Sequence, residues 1–235
     1  EEVEEVEEVE DLEEAASSEE VVLAPLPEES LFTAVHFKSL GEVYLIQGES
    51  CSLKIEGRED LITKVKTDVQ EGVLSIIYDS EEPDWSDIHW ISEDHDVRYY
   101  VTLDNLQVLN LEGAGSVQGE NLQGEALSMA HSGSGKIVLT GLQYQELDLD
   151  LSGLGEIQLE GEVQKQNLVL SGAGNYKAEA LQSQEANVTL SGSGLVQIWV
   201  EKELNADLSG AGSIEYKGDP KVEESNTGVG RIKPL

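Results

Sequence analysis

From residue 113 onward the chain returns to a Gly-x-Gly at a near-constant interval. The first glycines stand at 113, 133, 153, 172, 192, 210 and 228. Around them apolar and polar residues alternate, as in LSGLGEIQL from 151, LSGAGNYKA from 170 and LSGSGLVQI from 190. Gly is a poor strand residue, because it loses the most chain entropy on ordering and brings no side chain to pack. Its recurrence inside strand-like sequence therefore needs a reason, and the phase supplies one. Leu147, Leu149, Leu151, Gly153, Gly155, Ile157 and Leu159 all fall on alternate positions, as do Val188, Leu190, Gly192, Gly194, Val196 and Ile198. The glycines thus sit on the inward side, where the chain turns a corner or where backbone passes close to backbone.

Two apolar strands and one glycine corner in every repeat describe one coil of a parallel β-solenoid (β-helix). A single coil cannot bury its own apolar face; stacking on the next coil buries it and pairs the backbones at about 4.8 Å per layer. A right-handed coil is expected from the hand of β-crossover-β connections. A row of antiparallel hairpins is the competing arrangement, but hairpins do not hold one phase across their turns. The expected fold class is all-β: a parallel solenoid over residues 106–235, shorter strands over 31–105, and an acidic disordered tail and linker over 1–30. In the 31–105 part, FTAVHF, EVYLIQG, CSLKIEG, GVLSIIY and VRYYVTL read as strands, and DLITKVKTDVQ fits a strand or a short helix, with strand preferred.

Charge narrows the partners. Lys and Arg total 14 against 48 Asp and Glu, for a formal net charge of -34. Such a surface repels phosphate and anionic membranes, which argues against nucleic acid as a partner. Cations, basic proteins and neutral glycans stay open. No apolar run long enough to predict a membrane span occurs. Cys51 is the single cysteine; in the alternating run CSLKI it reads as a small core residue.

The serial LSGxG motif, the opening FTAVHFKSLGEVYLIQGESCSLKIEG, the segment DLITKVKTDVQEGVLSIIY and the closing GVGRI together resemble the putative auto-transporter adhesin family, head GIN domain. The resemblance spans residues 31 to 233, which it makes one continuous domain. It implies an exported, β-helical bacterial protein and brings no catalytic residues with it. No lipid-anchor cysteine precedes the resembling region in the sequence.

The motifs that carry chemistry elsewhere fail on spacing here. None of the glycine pairs completes GxGxxG, and no helix pattern follows them. The positions after the pairs hold Ser116, Lys136, Glu156, Asn175, Leu195 and Ser213, not the Asp of a calcium-binding solenoid. Ser132, Ser152, Ser171, Ser191 and Ser209 precede the glycines equally, which suits a stacked hydroxyl ladder more than one nucleophile. His131 replaces a Leu of the inward column and reads as a hydrogen-bonded core histidine. No metal or other cofactor is expected. The stretch DWSDIHWISEDHD gathers Trp85, Asp87, His89, Trp90 and His95; it reads first as a solvated loop or a flap over a coil, and it is the place for a ligand or partner surface if binding is local, because loops on rigid scaffolds carry binding. Trp199, out of phase with the inward set, is expected to be exposed and to add to a contact surface.

These observations point to a non-enzymatic exported protein, located in the periplasm, the outer envelope or outside the cell. Its expected use is adhesion or assembly, with self-association through the solenoid ends. The first alternative is polysaccharide binding or processing on the β-helix, with Asp148 or Asp150 brought near Glu160 or Glu179 by coil stacking. A further one is an envelope sensor that docks a partner protein.

Overall fold

The computed structural model describes Leu26, residues 30–79 and residues 97–235. The expected tail, apart from Leu26 and Ser30, and residues 80–96 lie outside the described residues. The chain is nearly all β, with about six turns of parallel solenoid.

The repeat region holds the long strands β10 (Lys136–Leu151), β11 (Glu156–Leu170), β12 (Asn175–Leu190) and β13 (Leu195–Leu208), preceded by β7 (Val108–Leu111), β8 (Ser116–Glu120) and β9 (Gln123–His131). It ends in β14 (Ser213–Lys217), β15 (Lys221–Asn226) and β16 (Arg231–Pro234). Each coil runs along one wall, turns at the glycine pair, runs along a second wall and turns back at an opposite bend. All pairings between successive coils are parallel.

Register keeps the inward residues in columns. On the first wall Leu111, His131, Leu151, Leu170, Leu190 and Leu208 lie one over another. On the second, Val117, Ile137, Ile157, Tyr176, Val196 and Ile214 do the same. Every member of both columns is buried. Each buried Leu or Ile contributes about 1.5–3 kcal/mol relative to an exposed one, so the columns are the main cohesive force between coils.

The variable repeat length is taken up at one bend only. Lys136 pairs with Glu156 and Leu139 with Leu159, but after the bend Leu142 pairs with Gly161, one position short of that register, and the shortened register holds through Leu151↔Leu170. The next coil carries it across the glycine corner to Glu156↔Asn175 and recovers the lost position at Glu160↔Ala180. The register shifts therefore fall opposite the glycine corners, where Gly141 and Gly161 have positive φ. Among the described residues, no glycine of the corner pairs from 113 onward has positive φ. Those pairs are demanded by space: a Cβ on Gly133, Gly153, Gly172, Gly192 or Gly210 would overlap the carbonyl oxygen of the corner glycine one coil earlier. Of the two reasons the sequence allowed, close backbone approach is the one realised.

The N-terminal strands belong to the same stack. β1 (Ala34–Lys38) and β2 (Glu42–Gln47) lie parallel on β7 and β8, and Ser39-Leu40-Gly41 forms their corner. A Cβ on Gly113 would meet the Ser39 carbonyl, so this corner obeys the same geometry without a leading glycine. β5 (Val73–Tyr78) and β6 (Val97–Leu103) stack parallel on the other side of β1 and β2. β3 (Ser52–Gly57) and β4 (Val65–Gln70) then close that end by pairing antiparallel with β6 and β5.

The segment DLITKVKTDVQ corrects the all-strand assignment. Glu59–Ile62 is a short helix, α1, and only Val65–Gln70 is strand. Leu61 and Ile62 are both buried; adjacent side chains point to opposite faces of a strand, so one helical turn is needed to send both inward. Cys51 is half-buried against the core, with its Sγ 3.5 Å from the backbone N and from the O of Phe32.

Candidate functional site

The sequence placed its ligand surface at Trp85, Asp87, His89, Trp90 and His95, all outside the described residues. The flanking Asp79 and Val97 follow β5 and open β6, so both ends of that stretch join the walls of one coil. Trp199 is described. It is half-buried rather than bare: the Lys217 ammonium lies 3.5 Å from the ring centroid, and the indole N–H donates to Glu201 at 2.8 Å. Lys217 stacks on Trp199 because the register pairs them, so the cation covers the face that a ligand ring would use.

His131 is a core residue, 1% exposed. Its Nε2 donates to the Gly135 carbonyl at 2.9 Å, and its Nδ1 accepts the Gly133 N–H at 3.3 Å. The imidazole thus satisfies backbone at its own corner. The serines before the glycines are exposed; their backbone N–H groups, not their hydroxyls, reach the preceding coil, as in Ser171 N–H to the Leu151 carbonyl at 3.1 Å. The side-chain ladder present is of another kind. Asn205 donates to Asn187, Asn187 to Asn167 and Asn167 to Asp148, at 2.9, 2.8 and 2.7 Å.

The carboxylates of the alternative enzyme reading do not share a strand run. Asp148 and Asp150 align with Asn167 and Val169 before the glycine corner, and Glu160 aligns with Ala180 beyond it. Among the described residues no group of three or more His, Cys, Asp or Glu is arranged to hold a metal ion.

The outer face of the second wall carries ion pairs that link successive coils. Glu156 bridges Lys136 at 2.9 Å and Lys177 at 2.5 Å across three coils, and those hydrogen bonds hold its carboxyl below the usual range. Glu215 is lowered in the same way by Lys233 and Gln197. Farther toward the N-terminal end, Tyr44 and Tyr100 stack with centroids 5.3 Å apart and planes 15° apart. The Tyr44 hydroxyl donates to Glu42 at 2.7 Å, which raises its pKa. Beside this pair lies a hollow of about 580 Å³ lined by Tyr44, Ile46, Gln118, Glu120, Val138 and Thr140, among others. Sequence reasoning missed it. The outward phase of Tyr44 and Tyr100 was legible from Val43, Leu45, Tyr99 and Val101, but not the pairing of β2 with β6 across the whole of β3, α1, β4 and β5.

Residues 31–220 match the family described as "Putative auto-transporter adhesin, head GIN domain". The fold is shared with solved structures. A putative adhesin from Bacteroides fragilis is 24% identical, with TM-score 0.84, covering 93% of this chain and 98% of that one. A putative lipid binding protein from Parabacteroides distasonis is 22% identical, with TM-score 0.71 and coverage of 92% and 96%. A putative adhesin from Parabacteroides merdae is 18% identical, with TM-score 0.66 and coverage of 93% and 97%. No curated protein matches the sequence.

Proposed function

We infer the function from the family to which the chain belongs, the putative auto-transporter adhesins with the head GIN domain: it is an adhesin-like surface protein. The observation that carries the reading is the second wall's outer face. Successive coils present it as an array held by inter-coil pairs such as Lys136–Glu156–Lys177 and Glu215–Lys233. A rigid array of repeated polar groups supplies many weak contacts at fixed spacing, which suits attachment more than turnover. The protein is exported and works without catalysis, at the cell envelope or beyond it. No helix among the described residues is long and apolar enough to cross a membrane. Two groups of measurements test this. Antibody labelling of intact source cells is expected to reveal the protein at their surface; labelling only after lysis overturns the placement. Beads coated with the purified chain are expected to adhere to cell-surface or matrix preparations and to release no soluble product from the polysaccharides they retain. Product release would favour the polysaccharide-processing alternative.

A further inference from the structure

We propose that the hollow beside Tyr44 is a binding subsite for the ring of an uncharged saccharide. The proposal rests on the attachment reading for its biological setting and on the following geometry for its chemistry.

Tyr44 lies in register between Tyr100 on one side and Gln118 on the other. Stacking at 5.3 Å covers one face of its ring, and the other face turns toward Gln118, where the hollow lies. Tyr44, Ile46 and Val138 make an apolar floor, and Ile46 is 45% exposed. Gln47, Gln118, Glu120, Asn121 and Thr140 make the rim. A sugar ring has this same division: C–H groups on its faces, and hydroxyls that both donate and accept around its edge. The amides of Gln118 and Asn121 and the hydroxyl of Thr140 can donate and accept, and the Glu120 carboxylate accepts. The volume of about 580 Å³ lies within the usual range for small-ligand sites.

The walls are set before any ligand arrives. The Gln47 side chain donates to the carbonyls of Asp104 and Gln123 and accepts the Gln123 N–H, at 2.7, 3.1 and 2.7 Å. Glu42 fixes the Tyr44 hydroxyl. Such preorganisation reduces the entropy lost on binding. Charge selects among sugars: Glu120 stands on the rim and the chain carries -34 overall, so uronates and phosphates are repelled. An extended peptide finds no sheet edge there, because β2 pairs on both sides with β6 and β8.

The test is saturation-transfer NMR and calorimetry on the full chain. The probes are maltotriose, cellotriose, mannotriose and chitotriose, with trigalacturonate and phosphatidylcholine vesicles for comparison. At least one neutral trisaccharide is expected to bind and to contact the Tyr44 ring protons. Thr140→Trp, which fills the hollow, and Tyr44→Leu, which removes the aromatic face, are each expected to weaken binding about tenfold or more. Gln118→Ala, at an exposed rim position, is expected to weaken it without a change in melting temperature. Val229→Ser, at the far end, is expected to change nothing. The proposal is overturned if no neutral trisaccharide binds, if Thr140→Trp binds as well as the parent, or if trigalacturonate or vesicles bind in preference. Parent-coated beads that adhere while no neutral trisaccharide binds would remove the subsite and leave the attachment reading intact. Saccharide binding at the hollow without bead adhesion would do the reverse.

Discussion

Gly192 lies directly against the carbonyl oxygen of Gly172, one coil earlier. That oxygen already accepts the Ser193 N–H at 3.0 Å, so the corner backbones are clasped and no methyl group fits between them. Gly192→Ala is therefore expected to cost about 3 kcal/mol, at the upper end for overpacking, because the obstacle is backbone and cannot rotate away. The adjacent Ser191→Ala, at an exposed position, is expected to stay within about 0.5 kcal/mol of the parent. Urea unfolding of both variants checks the contrast; equal midpoints would contradict the clasp.

Length tolerance is expected to differ between the two bends of a coil. One extra residue between Glu201 and Lys202, at the bend where registers already shift, is expected to leave the protein folded with a small loss in melting temperature. The same insertion between Ser193 and Gly194 moves every later inward residue of that wall to the outside face, because side chains alternate between the two faces of a strand. Loss of a cooperative thermal transition is the expected result there, read by circular dichroism.

His131 occupies a leucine position, so His131→Leu is expected to retain the fold within about 1.5 kcal/mol, as for other volume-conserving swaps. His131→Ala is expected to cost about 2 kcal/mol or more through the cavity it leaves. If His131→Leu proves the worse of the two by denaturant titration, the imidazole's bonds to Gly133 and Gly135 outweigh packing.

Stability is expected to fall at alkaline pH. Burial pushes Tyr99 and Tyr144 from 10.0 up to about 12 and raises Tyr176 further. A phenol whose folded pKa is raised contributes stability that is full below its unfolded value and is lost as pH rises through the folded one. The window is therefore about pH 10 to 12, and phenolate absorbance should rise together with unfolding. At the acid end the lowered Glu156 and Glu215 act oppositely. Their contribution is present above the ordinary 4.5 and is lost as pH falls below it. Both carboxylates are half-buried on the outer face and still in reach of solvent ions, so the acid effect is expected to be modest and to shrink with salt.

The spacing and phase of the glycine pairs, together with the alternation around them, determined the solenoid, its inward columns and the core role of His131. These are local signals repeated often enough to leave one way of burying the apolar face. Tertiary structure alone decided what the coils present outward. Ser39-Leu40-Gly41 became a corner only because Gly113 packs on it, Trp199 was covered because the register brings Lys217 over its ring, and Tyr44 met Tyr100 through strands far apart along the chain. An inward position is dictated by the need to exclude water, and a pattern in one strand records it. An outward contact depends on which other strand lies alongside and in what register, and no single stretch of chain encodes that.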